Sequence, residues 1–180
     1  MALERNESTY KKASLMPFAT KGDNAPAYWL VNCLWIILVD GKDTDGRFSL
    51  LEQHMPLGSA PIPHVHNFTD EWFYILDGSM DALVGGQEIT AKTGDTLWIP
   101  RGTVHSFKVT SEICRVLNAY EPAGVEQTIM SLAQPAERRE LPPKGPMPDQ
   151  RTLFLLFNHY WTAEASHPWA HGVPERKEKS

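Results

Sequence analysis

Between residues 48 and 120 the chain is cut into short β-prone runs by turn-forming residues, and none of the runs carries a helical period. The runs are residues 48–55, 71–76, 80–84, 88–91, 96–99, 104–110 and 113–120. Between them lie Asp77-Gly78, Gly85-Gly86, Thr93-Gly94-Asp95 and Arg101-Gly102, the residue types that turns require. Gly85-Gly86 between two runs is a hairpin signal. Short strands at even spacing with no helix between them predict an all-β sandwich or barrel.

The flanks read differently. Residues 1–27 are polar and form an N-terminal arm. Residues 28–39 are rich in β-branched and aromatic side chains and predict one or two further strands. Beyond Glu121-Pro122, Val125, Ile129 and Leu132 recur at helical spacing and predict one short helix. Residues 141–148 are too rich in proline for helix or central strand, and residues 152–161 predict a second helix on the body. The organisation is therefore an arm (1–27), a β-barrel (28–120) and a C-terminal helical extension with a charged tail (121–180).

Composition narrows the class. The net charge is −5, from 17 Lys+Arg against 22 Asp+Glu, which argues against a nucleic-acid partner. No apolar run approaches the roughly 18 residues of a membrane helix, and the charged N-terminus shows no secretory signal. Cys33 and Cys114 form no CxxC and read as buried small hydrophobes. A reduced, cytoplasmic location is the expectation.

The chemistry concentrates between Gly58 and His105. His64 and His66 are two residues apart, so on an extended chain both imidazoles face one side. Glu71 opens the next run. On its own run His105 shares a face with Phe107 and Val109, while Ser106, Lys108 and Thr110 share the other, so His105 points inward. A buried carboxylate beside three imidazoles is costly unless a cation joins them. The set suits one divalent transition metal: Fe, Mn, Ni or Co, with Zn and Cu also compatible.

Two spaced patterns carry a family resemblance. Gly58-x5-His64-x-His66-x4-Glu71-x6-Gly78 resembles the first cupin motif, and Gly94-x5-Pro100-x-Gly102-x2-His105 resembles the second. The asparagine that closes the second motif is Val109 here. The resemblance implies a jelly-roll β-barrel with a metal at its mouth, held by His64, His66, Glu71 and His105. More narrowly, Pro-His-Val-His, Asp-Glu-Trp-Phe-Tyr-Ile-Leu-Asp-Gly and Tyr-Glu-Pro-Ala-Gly are similar to single-domain proteins of the quercetin 2,3-dioxygenase type. That likeness implies dioxygen and a small enolisable aromatic as substrates, with Glu71 also a candidate general base. A non-redox isomerase, lyase or cyclase and a non-catalytic small-molecule binder remain open alternatives on the same residues.

In phase with Glu71 and His105, the side chains Phe73, Ile75, Phe107 and Val109 are expected to wall an apolar substrate pocket. Glu52 and His54 alternate with Leu51, Gln53 and Met55 and read as outward. Arg101 reads as solvated in its turn, His159 as a packing residue, and His167 and His171 as surface. Trp72 alternates with Glu71 and faces away from the site. Covering such outward tryptophans calls for a homodimer, with residues 29–39 as the candidate interface strand.

Overall fold

The computed structural model describes residues 15–145. Among these, ten strands and one α-helix follow in order. They are β1 (Ala27–Leu30), β2 (Cys33–Val39), β3 (Ser49–Pro56), β4 (Asp70–Asp77), β5 (Ser79–Val84), β6 (Gln87–Lys92), β7 (Thr96–Ile99), β8 (His105–Val109), β9 (Ile113–Glu121), α1 (Val125–Leu132) and β10 (Gln134–Pro135). The helix expected over 152–161 and the residues His159, His167 and His171 lie outside the described residues.

A seven-stranded sheet runs β10-β1-β2-β3-β9-β4-β7, and a three-stranded sheet runs β6-β5-β8. The two sheets face each other as a jelly roll, without a continuous ladder closing them into a cylinder. Strict alternation drives this arrangement. β3 buries every second residue, from Ser49 through Leu51 and Gln53 to Met55, and β4 buries Glu71, Phe73 and Ile75. Between the sheets, Met55, Phe73, Ile75, Leu97, Ile99, Cys114 and Val116 of the large sheet meet Met80, Ala82, Ala91 and Val109 of the small one. Gly78 sits at a left-handed φ of 87°, and a Cβ there would collide with the Ile113 carbonyl oxygen, so this turn admits only glycine.

β2 is apolar along its whole length because it is covered on both faces. One face meets the sandwich interior and α1. On the other, Trp29, Leu34 and Ile36 pack under Ala136 and Leu141, and the Trp29 indole N–H donates to the Glu140 carbonyl at 2.8 Å. β10 pairs with Tyr28 and Trp29 of β1. Residues 29–39 therefore lie inside the sheet, flanked by β10 and β3, and offer no free edge to a second copy. Trp72 does face outward, directly across from Trp98 on β7.

α1 packs on the large sheet at one end of the sandwich, beside the cavity mouth. Val125 and Ile129 pack on Ile37, Leu51 and Tyr120. Its N-terminus has no side-chain cap from Gly124. The buried Glu126 carboxylate accepts from the Gly124 amide at 2.8 Å and from the Gly41 amide at 3.1 Å, taking over that role.

Candidate metal centre

The four residues singled out by spacing converge at the α1 end of the sandwich. His64 lies in the connection after β3 and is stitched to β8 by two backbone bonds, His64 N–H to His105 O at 2.9 Å and His105 N–H to His64 O at 2.8 Å. The Gly102 amide donates to the His66 carbonyl at 2.8 Å, from a turn in which Gly102 has a φ of 76°. Glu71 points inward from β4, opposite Tyr120 of β9. Arg101 clamps the start of that strand. Its guanidinium donates to both Asp70 carboxylate oxygens, at 2.8 and 3.2 Å, and its amide donates to Asp70 at 2.7 Å. Arg101 is thus an internal ion-pair partner, correcting the expectation of a solvated side chain.

The donor atoms of His64, His66, Glu71 and His105 all lie within 4.8 Å of one another, and all four residues are buried. Metal–ligand bonds of about 2.0–2.2 Å place ligand atoms up to roughly 4.3 Å apart, so a slight closure seats one ion. The tautomers are prepared for it. Nδ1–H of His64 donates to the Ile62 carbonyl and Nδ1–H of His105 to the Thr103 carbonyl, each at 2.9 Å. Both Nε2 lone pairs are thereby turned inward. Burial, followed by the neighbouring His105 charge, pushes His64 down to about 4, so its ring is neutral near pH 7.

Glu71 Oε2 lies 3.0 Å from His105 Nε2 and 3.4 Å from His66 Nε2. No well-formed hydrogen bond reaches Glu71 Oε2 or His105 Nε2. Burial works to raise the Glu71 pKa, but the two imidazoles outweigh it and hold the carboxyl well below its ordinary value. An anionic oxygen set this close to imidazole nitrogens calls for a positive charge between them. A second ring proton or a divalent cation supplies it, and three neutral imidazoles with one carboxylate fit the cation.

The cluster opens on a cavity of about 270 Å³. Leu30, Trp35, Leu57, Phe107 and Ile129 supply apolar wall, and His64, His66 and Glu71 face it. Of the four pocket residues expected from phase, Phe107 lines this cavity. Phe73, Ile75 and Val109 sit deeper, fully buried between the sheets. In-phase positions reach the core as readily as the mouth, and distance along the strand decides which. Glu52 and His54 lie on the outer face, where Glu52 accepts from His54 at 2.8 Å and Arg115 at 2.7 Å.

Polar cavity residues that escaped the sequence reading include Gln53, Asn118 and Tyr120. Asn118 donates from Nδ2 to Glu71 Oε1 at 3.1 Å and to the Tyr120 hydroxyl at 2.9 Å. The Tyr120 ring stands edge-on to His66 at 5.8 Å. The available signal was alternation. Asn118 is in phase with Cys114 and Val116, and Gln53 with Leu51 and Met55, so both were inward polar positions.

Residues 51–120 match the Cupin domain family model. Quercetin 2,3-dioxygenase of Bacillus subtilis is 33% identical over 106 residues, covering 59% of this chain and 32% of that enzyme. An uncharacterized protein of Aquifex aeolicus is 32% identical over 65 residues, covering 36% of this chain and 54% of its own length. The chain thus spans about a third to a half of these relatives. Among solved structures, a predicted oxalate decarboxylase from Thermotoga maritima superposes with a TM-score of 0.55 at 18% identity, covering 58% of this chain and 99% of that one. The polyketide cyclase RemF from Streptomyces resistomycificus gives 0.54 at 20% identity, covering 82% and 98%. Both likenesses establish the fold alone. The four clustered side chains and both motif cores lie inside the segment that matches the cupin domain model.

Proposed function

We propose that this protein is a metal-dependent dioxygenase acting on a planar, enolisable aromatic substrate of the flavonol type. The observation that carries this reading is the placement of the buried three-histidine, one-carboxylate cluster against an apolar, aromatic-walled cavity. The sequence similarity to the Bacillus quercetin 2,3-dioxygenase supports it.

His64, His66, Glu71 and His105 would hold the ion, which supplies Lewis acidity towards an enol oxygen and a meeting point for dioxygen. The chain's own residues do the rest. Trp35 and Phe107 flank a flat ring and keep bulk water from it. Released from the ion, Glu71 would accept the proton of the substrate hydroxyl as the enol oxygen becomes an enolate. Asn118 fixes the Glu71 carboxylate through Oε1, leaving Oε2 as the oxygen turned towards the imidazoles.

Oxygen uptake with quercetin, on protein reconstituted separately with Fe(II), Mn(II), Ni(II) and Co(II), tests the reading. Uptake that depends on metal and disappears in His66→Ala is the expected result. Stoichiometric metal with no uptake rejects quercetin. Conversion of an enolisable substrate under argon moves the site to non-redox isomerase or cyclase chemistry.

A further inference from the structure

Left-handed backbone among the described residues falls on glycine, asparagine or aspartate at every position but one. The exception is Val31, with a φ of 49°. A β-branched side chain crowds its own backbone in that region, so Val31 is strained. The strain comes from a two-residue turn. Leu30 faces Cys33 across the β1–β2 hairpin, and Val31 and Asn32 (φ 61°) connect them. Such turns require positive φ at both positions and select asparagine and glycine. Asn32 suits its place and Val31 does not. The same fold contains the relaxed version. Val84 faces Gln87 across the β5–β6 hairpin, and Gly85 and Gly86 connect them at 56° and 84°. A Cβ on Gly86 would meet nothing within 4 Å, so the backbone and not crowding favours glycine there.

The surroundings separate the two turns. Val31 and Asn32 line the cavity that His64, His66 and Glu71 face, whereas Gly85 and Gly86 do not. Packing gives no reason for the valine. Leu30 beside it packs against the cluster of Ile37, Leu51 and Ile129. Val31 is partly exposed and joins none of the apolar clusters formed by the described residues. A strained apolar side chain that the core does not use points to something that enters the cavity. Leu57 lines the same cavity and is 63% exposed, so Val31 is not alone in offering apolar surface there.

We propose that Val31 is a specificity-determining residue whose side chain makes apolar contact with the part of a bound substrate that lies away from the metal cluster. The substrate class is thereby narrowed to enolisable aromatics that reach from the cluster to the β1–β2 turn with an apolar ring, a refinement that rests on the flavonol-type reading above. A small enol that occupies only the cluster does not touch Val31 and gains nothing from it.

Two substitutions separate strain from contact. Val31→Asn places a residue that tolerates left-handed backbone in the turn and removes the branched apolar surface. Val31→Gly does the same without a new polar group. Titration calorimetry under argon, on the full chain loaded with Co(II), compares 3-hydroxyflavone with maltol, which carries the same enol and ketone on one small ring. Both variants are expected to bind 3-hydroxyflavone about tenfold more weakly than wild type and maltol within about twofold of it. Equal losses for both ligands, or no loss for 3-hydroxyflavone, overturn the proposal.

Urea unfolding without substrate supplies a second readout independent of any flavonol. An unfolding midpoint for Val31→Asn at or above wild type supports a valine kept for ligand. A clearly lower midpoint makes Val31 a structural contact and overturns the assignment. If wild type does not bind 3-hydroxyflavone, the flavonol reading falls, and the unfolding comparison still decides the role of Val31.

Discussion

Strands β3, β4, β8 and β9 each send inward side chains to both ends of the sandwich, and the two ends differ in kind. At one end Met55, Phe73, Ile75, Val109, Cys114 and Val116 form a sealed apolar core. At the other, the same strands present Gln53, Glu71, His105, Asn118 and Tyr120, all buried. The alternation that turns a residue inward is identical at both ends. What changes is whether burying that residue favours folding. Each apolar side chain contributes about 1.5–3 kcal/mol by leaving water, whereas each polar one must find a partner to break even. Stability is thus concentrated at the closed end and chemistry at the open end.

The largest expected effect lies at the open end. In His66→Ala, bound metal should fall from about one ion per chain to background after dialysis, read by elemental analysis, and turnover should vanish with it. The metal-free variant should unfold close to the metal-free wild type, because the open end contributes ligands more than packing. Stoichiometric metal in this variant would dissolve the assignment of the cluster.

The converse substitution strikes the closed end. Phe73 is fully buried and stacks edge-on to Phe107 at a 5.6 Å centroid distance. Phe73→Ala should cost about 3–5 kcal/mol of stability in urea unfolding, while the folded fraction keeps one metal per chain. A proportional loss of metal affinity would show that the two ends are one cooperative unit and would break the comparison.

How far each end was legible in the sequence follows from the same contrast. Every run bounded by turn residues between 48 and 120 became a strand within a residue or so, because alternation and glycine placement are local signals. The convergence of His64, His66, Glu71 and His105 was legible because His64 and His66 share a face by spacing, and glycines bracket both motifs. Gln53, Asn118 and Tyr120 were not, since an inward polar residue gains meaning only from a neighbour on another strand. Asn118 is 47 positions from the carboxylate it holds. Gln134–Pro135 became β10 by pairing with β1, and nothing in two exposed residues announces that. Arg101 and Asp70 are 31 positions apart and meet only when β4 and the 100–102 turn are set side by side.

A subtler change sharpens the boundary between the ends. Asn118→Ala leaves all four ligands in place and removes the donor that orients Glu71. Metal affinity should fall about 10–100-fold with stoichiometry retained at saturating ion, as measured by competition with a chromogenic chelator. Unchanged affinity would mean that the β4 backbone alone aims the carboxylate.

The smallest effect belongs to the outer face, where polar groups are cheap because water competes for them. Burial tends to raise the Glu52 pKa, but hydrogen bonds from Arg115 and His54 more than offset this and hold it below its ordinary value of 4.5. A carboxylate depressed in the folded state contributes stability above its unfolded pKa, and the contribution is lost as pH falls through the folded one. Glu52→Gln should therefore cost only about 0.2–1 kcal/mol near pH 7. The gap from wild type should close as pH falls below 4.5 and through the lowered folded pKa, beyond which both proteins carry a neutral side chain. Urea unfolding at several pH values reads it directly. A cost near that of Phe73→Ala, or a gap that persists at the acid end, would place a stability determinant outside the sandwich core and overturn the division between its two ends.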